Sequence, residues 1–179
     1  MKLIAFLRAV NVGGRVVKMA DLKRIFESVG LSNVETFIAS GNVVFETKSK
    51  DLAALERKIE KALQEGFGFK VDTFLRTEAE VAAIAAHQAF PQAAIDRAAA
   101  FNIGFLGNKL DATSQKKLMA LRSHIDDLHV HEREVYWLCR VNQNDSKFSN
   151  AVLEKTLGGP STIRGVNTVR KLAAKYCES

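Results

Sequence analysis

Two prolines, two cysteines and one tryptophan in 179 residues leave this chain poor in residues that punctuate or crosslink a backbone. So few prolines, with only eleven glycines, leave little room for long linkers. The cysteines, Cys139 and Cys177, have no CxxC partner, which argues against a metal knuckle or a disulfide framework and leads us to expect a reducing, cytoplasmic setting. No apolar run approaches membrane-spanning length. The opening MKLIAFLRAVNVGG is interrupted by Arg8 and Asn11, so it reads as a buried first strand and not as a signal peptide. A P-loop is absent because no Gly-Lys-Ser/Thr follows the glycine pair, and no Ser-His-Asp or Cys-His spacing is visible. What remains, 47% hydrophobic and 26% charged, is ordinary for a globular chain with one substantial core or two small ones.

Charge is present and sorted. The net charge of +6 is concentrated at the two ends. Lys2, Arg8, Arg15 and Lys18 stand without an acid in the first twenty residues. Lys147, Lys155, Arg164, Arg170, Lys171 and Lys175 face one acid, Glu154, between Ser146 and Cys177, and the remainder is net acidic. A charge spread for solubility alone would not sort this way, so the ends are expected to meet and offer an electropositive surface to an anionic partner.

Hydrophobic periodicity divides the chain into two similar halves. Strand Lys2–Ala9, a helix over Ala20–Val29 stopped by Gly30, strands Val34–Ala39 and Asn42–Thr47 joined by a tight turn at Ser40-Gly41, a helix over Asp51–Gln64 and a strand over Lys70–Leu75 give the order βαββαβ. The second half repeats it: strand Ala100–Leu106, helix Thr113–Leu121, hairpin Leu128–His131 with Glu134–Val141, helix Ala151–Leu157, a short extended piece Ser161–Ile163, and a last helix over Asn167–Tyr176. The fold class is therefore α+β, with two ferredoxin-like subdomains, the second having a shortened last strand and a C-terminal helix. The expected divisions are residues 1–77, a helical connector over 78–98, and residues 99–179.

Several separated segments carry a family resemblance. LRAVNVGG at Leu7–Gly14, KMADL at Lys18–Leu22, SGNVVF at Ser40–Phe45, SKFSN at Ser146–Asn150, EKTLGGPSTIR at Glu154–Arg164 and NTVRKL at Asn167–Leu172 together resemble the domain of unknown function family 1697. The resemblance spans essentially the whole chain and implies two ferredoxin-like parts in an α/β fold. It implies no activity. Family members more usually have Gly where Ala9 stands and an Asn-Trp pair where Gly165-Val166 stands; if that tryptophan stacks on a ligand, the contact is missing here.

Three segments hold the candidate ligand-binding residues. In the first, Asn11, Gly13 and Gly14 lie between a strand and a helix, where backbone N–H groups can share a concavity, flanked by Arg8 and Lys18; a tight turn needing positive φ explains the same glycines. In the second, Ser40 and Asn42 sit beside Gly41 in a hairpin turn, a role that accounts for them without a ligand. In the third, Lys147 and Asn150 open one helix, and Arg164, Asn167, Thr168 and Arg170 surround the start of another. Caps explain the short polar residues, but cations at helix N-termini run against the dipole unless an anion is bound.

The remaining polar residues have simpler readings. His129 and His131 share a strand face with Glu134 across the turn; two histidines at this spacing can share a metal, but a solvated strand face is the expected reading. His87 and His124 sit alone on helices, and no metal site or cofactor is expected. Tyr136 and Trp137 alternate on a strand, which requires one of them in the core. The expected function is binding of a phosphate-bearing ligand, nucleic acid or nucleotide, in a basic cleft built by both ends. An enzyme acting on a phosphorylated small molecule, with Glu154 as its carboxylate, and a protein-interaction domain are the alternatives. No membrane partner is expected, and the sequence leaves catalysis and oligomeric state open.

Overall fold

A computed structural model describes residues 1–8, 17–38 and 41–177. They form eight strands and seven α-helices, in two compact units: Met1–Ala83 together with the segment from Lys171, and Ile84–Arg170.

The first unit contains β1 (Lys2–Leu7), α1 (Met19–Ser28), β2 (Ser32–Thr36), β3 (Asn42–Glu46), α2 (Leu52–Phe67) and β4 (Thr73–Thr77), followed by α3 (Glu78–Ala86). Its antiparallel sheet runs β2-β3-β1-β4. Alternation puts Leu3, Ala5, Leu7, Val43, Phe45 and Leu75 on the sheet face that α1 and α2 cover with Leu22, Phe26, Leu55, Ile59 and Leu63. The helix ends follow local chemistry. Asp51 caps α2 by accepting from the Ala54 N–H at 3.0 Å, and Gly68, at φ 79°, closes it by donating to Gln64 O. That helix runs through Gly66 before stopping, and β4 starts at Thr73 rather than Lys70.

The second unit repeats the plan with β5 (Ala100–Leu106), α5 (Ala112–Met119), β6 (Asp126–His131), β7 (Glu134–Cys139), α6 (Asn150–Leu157) and β8 (Ser161–Gly165), in sheet order β6-β7-β5-β8. A short helix α4 (Gln92–Asp96) precedes it, begun by Pro91. α7 (Val166–Tyr176) follows β8 directly and divides between the two units at Lys171. β8 is a full five-residue strand, as long as β4, so the shortened last strand is not found. Its full length comes from pairing with β5 from Leu106↔Ser161 to Asn102↔Gly165, a long-range ladder that the glycine-proline boundary in the sequence does not reveal.

Register shows how closely the units correspond. Ile4 pairs with Val44 and Arg76; Ile103 pairs with Tyr136 and Arg164. Ile4-Ala5-Phe6-Leu7 therefore matches Ile103-Gly104-Phe105-Leu106. A Cβ on Gly104 would lie 3.2 Å from Leu153 Cδ2, so α6 approaches β5 closely at this point. Both last strands are sheet edges, whose outward N–H groups need partners. Glu60 of α2 accepts from the Thr73 N–H at 2.9 Å, and Glu154 of α6 accepts from the equivalent Ser161 N–H at 2.9 Å.

The C-terminal segment docks in the first unit through Tyr176. Its hydroxyl donates to Glu35 Oε2 at 2.9 Å, its ring meets Phe37 edge-on at 5.6 Å, and its carbonyl accepts from Lys2 Nζ at 3.2 Å. Lys2 and Tyr176 thus meet in this unit, whereas Lys147, Lys155, Arg164 and Arg170 of the basic C-terminal segment belong to the second. Burial and the Glu35 carboxylate push the Tyr176 phenol up to about 12, and burial also raises Tyr136, the other tyrosine, above its ordinary range. A raised folded-state pKa means stability fully present below the unfolded value near 10 and lost as pH rises through 12. In an alkaline absorbance titration, neither tyrosine should ionise near pH 10 while the protein is folded. A half-signal of phenolate at pH 10 from folded protein would contradict this.

Candidate anion-binding site in the second unit

A polar concavity is built where β8 passes straight into α7. Val166 and Val169 of α7 are buried, which turns Asn167, Thr168 and Arg170 of its first turns outward. These three, with Phe101, Asn102 and Gly165, line a cavity of about 370 Å³. Gly165 has no side chain to cap the first N–H groups of α7, and a Cβ there would meet only Asn102 Oδ1, at 3.9 Å. Asn102 is nearly buried and donates to Gln143 Oε1 at 2.9 Å, which orients its amide. The Arg170 guanidinium lies 6.0 Å from the centre of the Phe101 ring, at the outer limit of a cation–π contact. No acidic residue lines this cavity among the described residues. A helix N-terminus and an arginine therefore face this cavity without an acidic lining residue.

A second cavity, of about 430 Å³, is mostly apolar and holds Lys147 beside His124, Asp126, Asp145 and Phe148. At its base the Asp126 carboxylate accepts from Trp137 Nε1 at 2.8 Å and from Ser146 Oγ at 2.6 Å. Ser146 Oγ in turn accepts from the Phe148 N–H at 2.9 Å. Here one lysine is matched by two carboxylates, so the cavity has no net preference for an anion.

The candidate residues thus have different roles. Asn167, Thr168 and Arg170 share the polar cavity, while Lys147 lines the apolar one. Asn150 lies outside both and ties α6 to β8: its Nδ2 donates to Ser161 O at 3.0 Å and its Oδ1 accepts from Ser161 Oγ at 2.6 Å. Arg164 donates to Thr162 Oγ1 at 2.7 Å and Ile163 O at 3.0 Å, and burial draws its pKa down to about 10, leaving it charged at neutral pH. Ser149 caps α6, accepting from the Val152 N–H at 3.2 Å.

In the first unit, Arg8 is half-buried and its N–H donates to Asp72 O, whereas Lys18 is exposed at the start of α1. Asn42 is buried, and its amide donates to Phe37 O and Ile38 O at 3.0 and 3.1 Å. Asn11, Gly13, Gly14 and Ser40 lie outside the described residues.

Sequence reasoning missed Phe101 and Asn102, although a lone asparagine inside the apolar run AFNIGFL was a usable signal. It also placed His87 alone on a helix surface. α3 ends at Ala86, and the His87 ring instead packs against the rings of His129, His131 and Tyr136.

Two antiparallel sheets of order 2-3-1-4, each backed by two helices, define a protein of paired ferredoxin-like units. The chain belongs to the family described as protein of unknown function DUF1697, which matches residues 1–136. Among solved structures it is similar to a conserved bacterial protein from Streptococcus pneumoniae, with a TM-score of 0.75 over 97% of each chain and 24% identity, a likeness of fold. No curated protein matches it.

Proposed function

We propose that the second unit binds a phosphate-bearing ligand, a nucleotide or a nucleic-acid segment, in the cavity at the start of α7. The observation carrying this reading is a 370 Å³ concavity that combines Arg170 and a helix N-terminus with no acidic lining residue. Its size falls in the range of small-ligand sites. Phosphate would sit against the first turn of α7 near Asn167, Thr168 and Arg170, with the Phe101 ring available to a base. The enzyme reading gains nothing from Glu154, whose carboxylate holds the Ser161 N–H in place.

The test is fluorescence anisotropy of a labelled mononucleotide and a labelled single-stranded RNA at low and physiological salt. Binding should weaken steeply with added salt. Arg170→Ala combined with Thr168→Ala should reduce affinity by roughly tenfold or more, as for loss of a charged hydrogen bond. Absence of binding by either probe at low salt, or equal binding by the folded variant, overturns the reading. Preference for the RNA over the mononucleotide would identify a polymer as the ligand.

A further inference from the structure

A second polar cluster in the same unit involves neither cavity. His129 on β6 and His87, just beyond α3, bring their Nε2 atoms to 3.0 Å from each other. His131 stacks beneath His87, with ring centres 3.9 Å apart and planes 9° from parallel. Tyr136 lies against both members of the close pair, at 5.1 Å from His87 and 5.9 Å from His129, and donates its hydroxyl to Ile84 O at 3.2 Å. Phe90 closes another side, 6.2 Å from His129. The two converging imidazoles are thus held by rings on several sides, which limits their freedom to rotate away.

We infer that His87 and His129 form a two-imidazole site for a late first-row divalent cation such as Zn²⁺. Both Nε2 lone pairs can address one point between them. A tetrahedral ion bound about 2.0–2.1 Å from each nitrogen needs the pair only about 3.3 Å apart, a small opening from the separation seen. Imidazole is a preferred ligand of zinc, copper and nickel, whereas magnesium and calcium take oxygen. His131 supports the site without joining it, because its stacked ring holds its nitrogens in a plane offset from that of His87. Among the described residues no group of three or more His, Cys, Asp or Glu side chains has metal-holding geometry, so water completes the coordination.

Protonation chemistry agrees with the geometry. Burial and the neighbouring histidines lower the pKa of both His87 and His129; Asp127 opposes this weakly at His129. The pair is therefore neutral at pH 7, as ligands must be. In the metal-free bond one ring carries its proton on Nε2. On binding, that ring moves its proton to Nδ1 and no net proton is released at neutral pH. Below the pair's pKa, binding expels protons and weakens.

The experiment is calorimetric titration of the chelator-treated full chain with Zn²⁺ at pH 7.5, in two buffers of different ionisation enthalpy. One site per chain is expected, with the same heat in both buffers. His87→Ala and His129→Ala should each weaken it by at least about tenfold, the smallest loss typical even of outer-sphere partners. His124→Ala, which removes a histidine of the apolar cavity, should leave it unchanged. Should either variant fail to fold, proton NMR of the wild type decides, since Zn²⁺ must perturb two histidine ring signals before the rest. No binding by the wild type, or equal loss in His124→Ala, sinks the proposal and leaves the pair as a simple N–H···N contact.

Discussion

Asp126→Ala should lose about 2–4 kcal/mol of folding stability, measured by urea denaturation of the full chain. The carboxylate is almost wholly buried and accepts two hydrogen bonds, from Trp137 Nε1 at 2.8 Å and Ser146 Oγ at 2.6 Å. An unsatisfied buried donor costs about 1–3 kcal/mol, and the indole N–H can only donate, so it loses its bond outright when the carboxylate is removed. Ser146 can rotate, so its share of the loss is the smaller. Asp126→Asn keeps an oxygen for the indole and should recover most of the difference. A loss below about 0.5 kcal/mol in the alanine variant, the scale of an ordinary surface change, would show that water replaces the carboxylate.

Phe26→Ala should be more damaging, at about 3–5 kcal/mol. Phe26 is fully buried on α1 and meets Phe45 of β3 edge-on, with ring centres 5.4 Å apart. Both rings belong to the buried core cluster of the first unit, together with Leu22, Ile59 and Leu63, and a close-packed core leaves little room for collapse into the vacated space. Phe26→Leu retains most of the buried area and serves as the control. Equal losses in the two variants would mean that the fit of the ring, and not its apolar area, carries the whole effect.

The periodic elements were legible because their causes are local. Ala100–Leu106 was read to the residue, and Gly30, Gly68 and Gly158 all adopt the positive φ of helix ends. Elsewhere boundaries moved by one to three residues, as when α2 continued through Gly66 to Phe67. The candidate site was legible in part. Asn167, Thr168 and Arg170 were picked from charge at a helix start, a local signal, and they line one cavity. Asn42, Asn150 and Glu154 looked alike as polar residues near basic segments, yet each satisfies backbone or side-chain groups of a neighbouring strand or loop. No local pattern separates a polar side chain that holds a strand edge from one that faces solvent.

The sequence by itself determined the two βαββαβ runs and the faces that become core, because strand and helix periods and turn chemistry act over a few residues. Tertiary structure alone decided that β8 is a full edge strand, that His87 joins His129 and His131, that Asp126 lies under Trp137, and that α7 ends in the first unit. Those outcomes depend on contacts between segments tens of residues apart, where long-range pairing and the need to satisfy buried donors override what each segment shows alone.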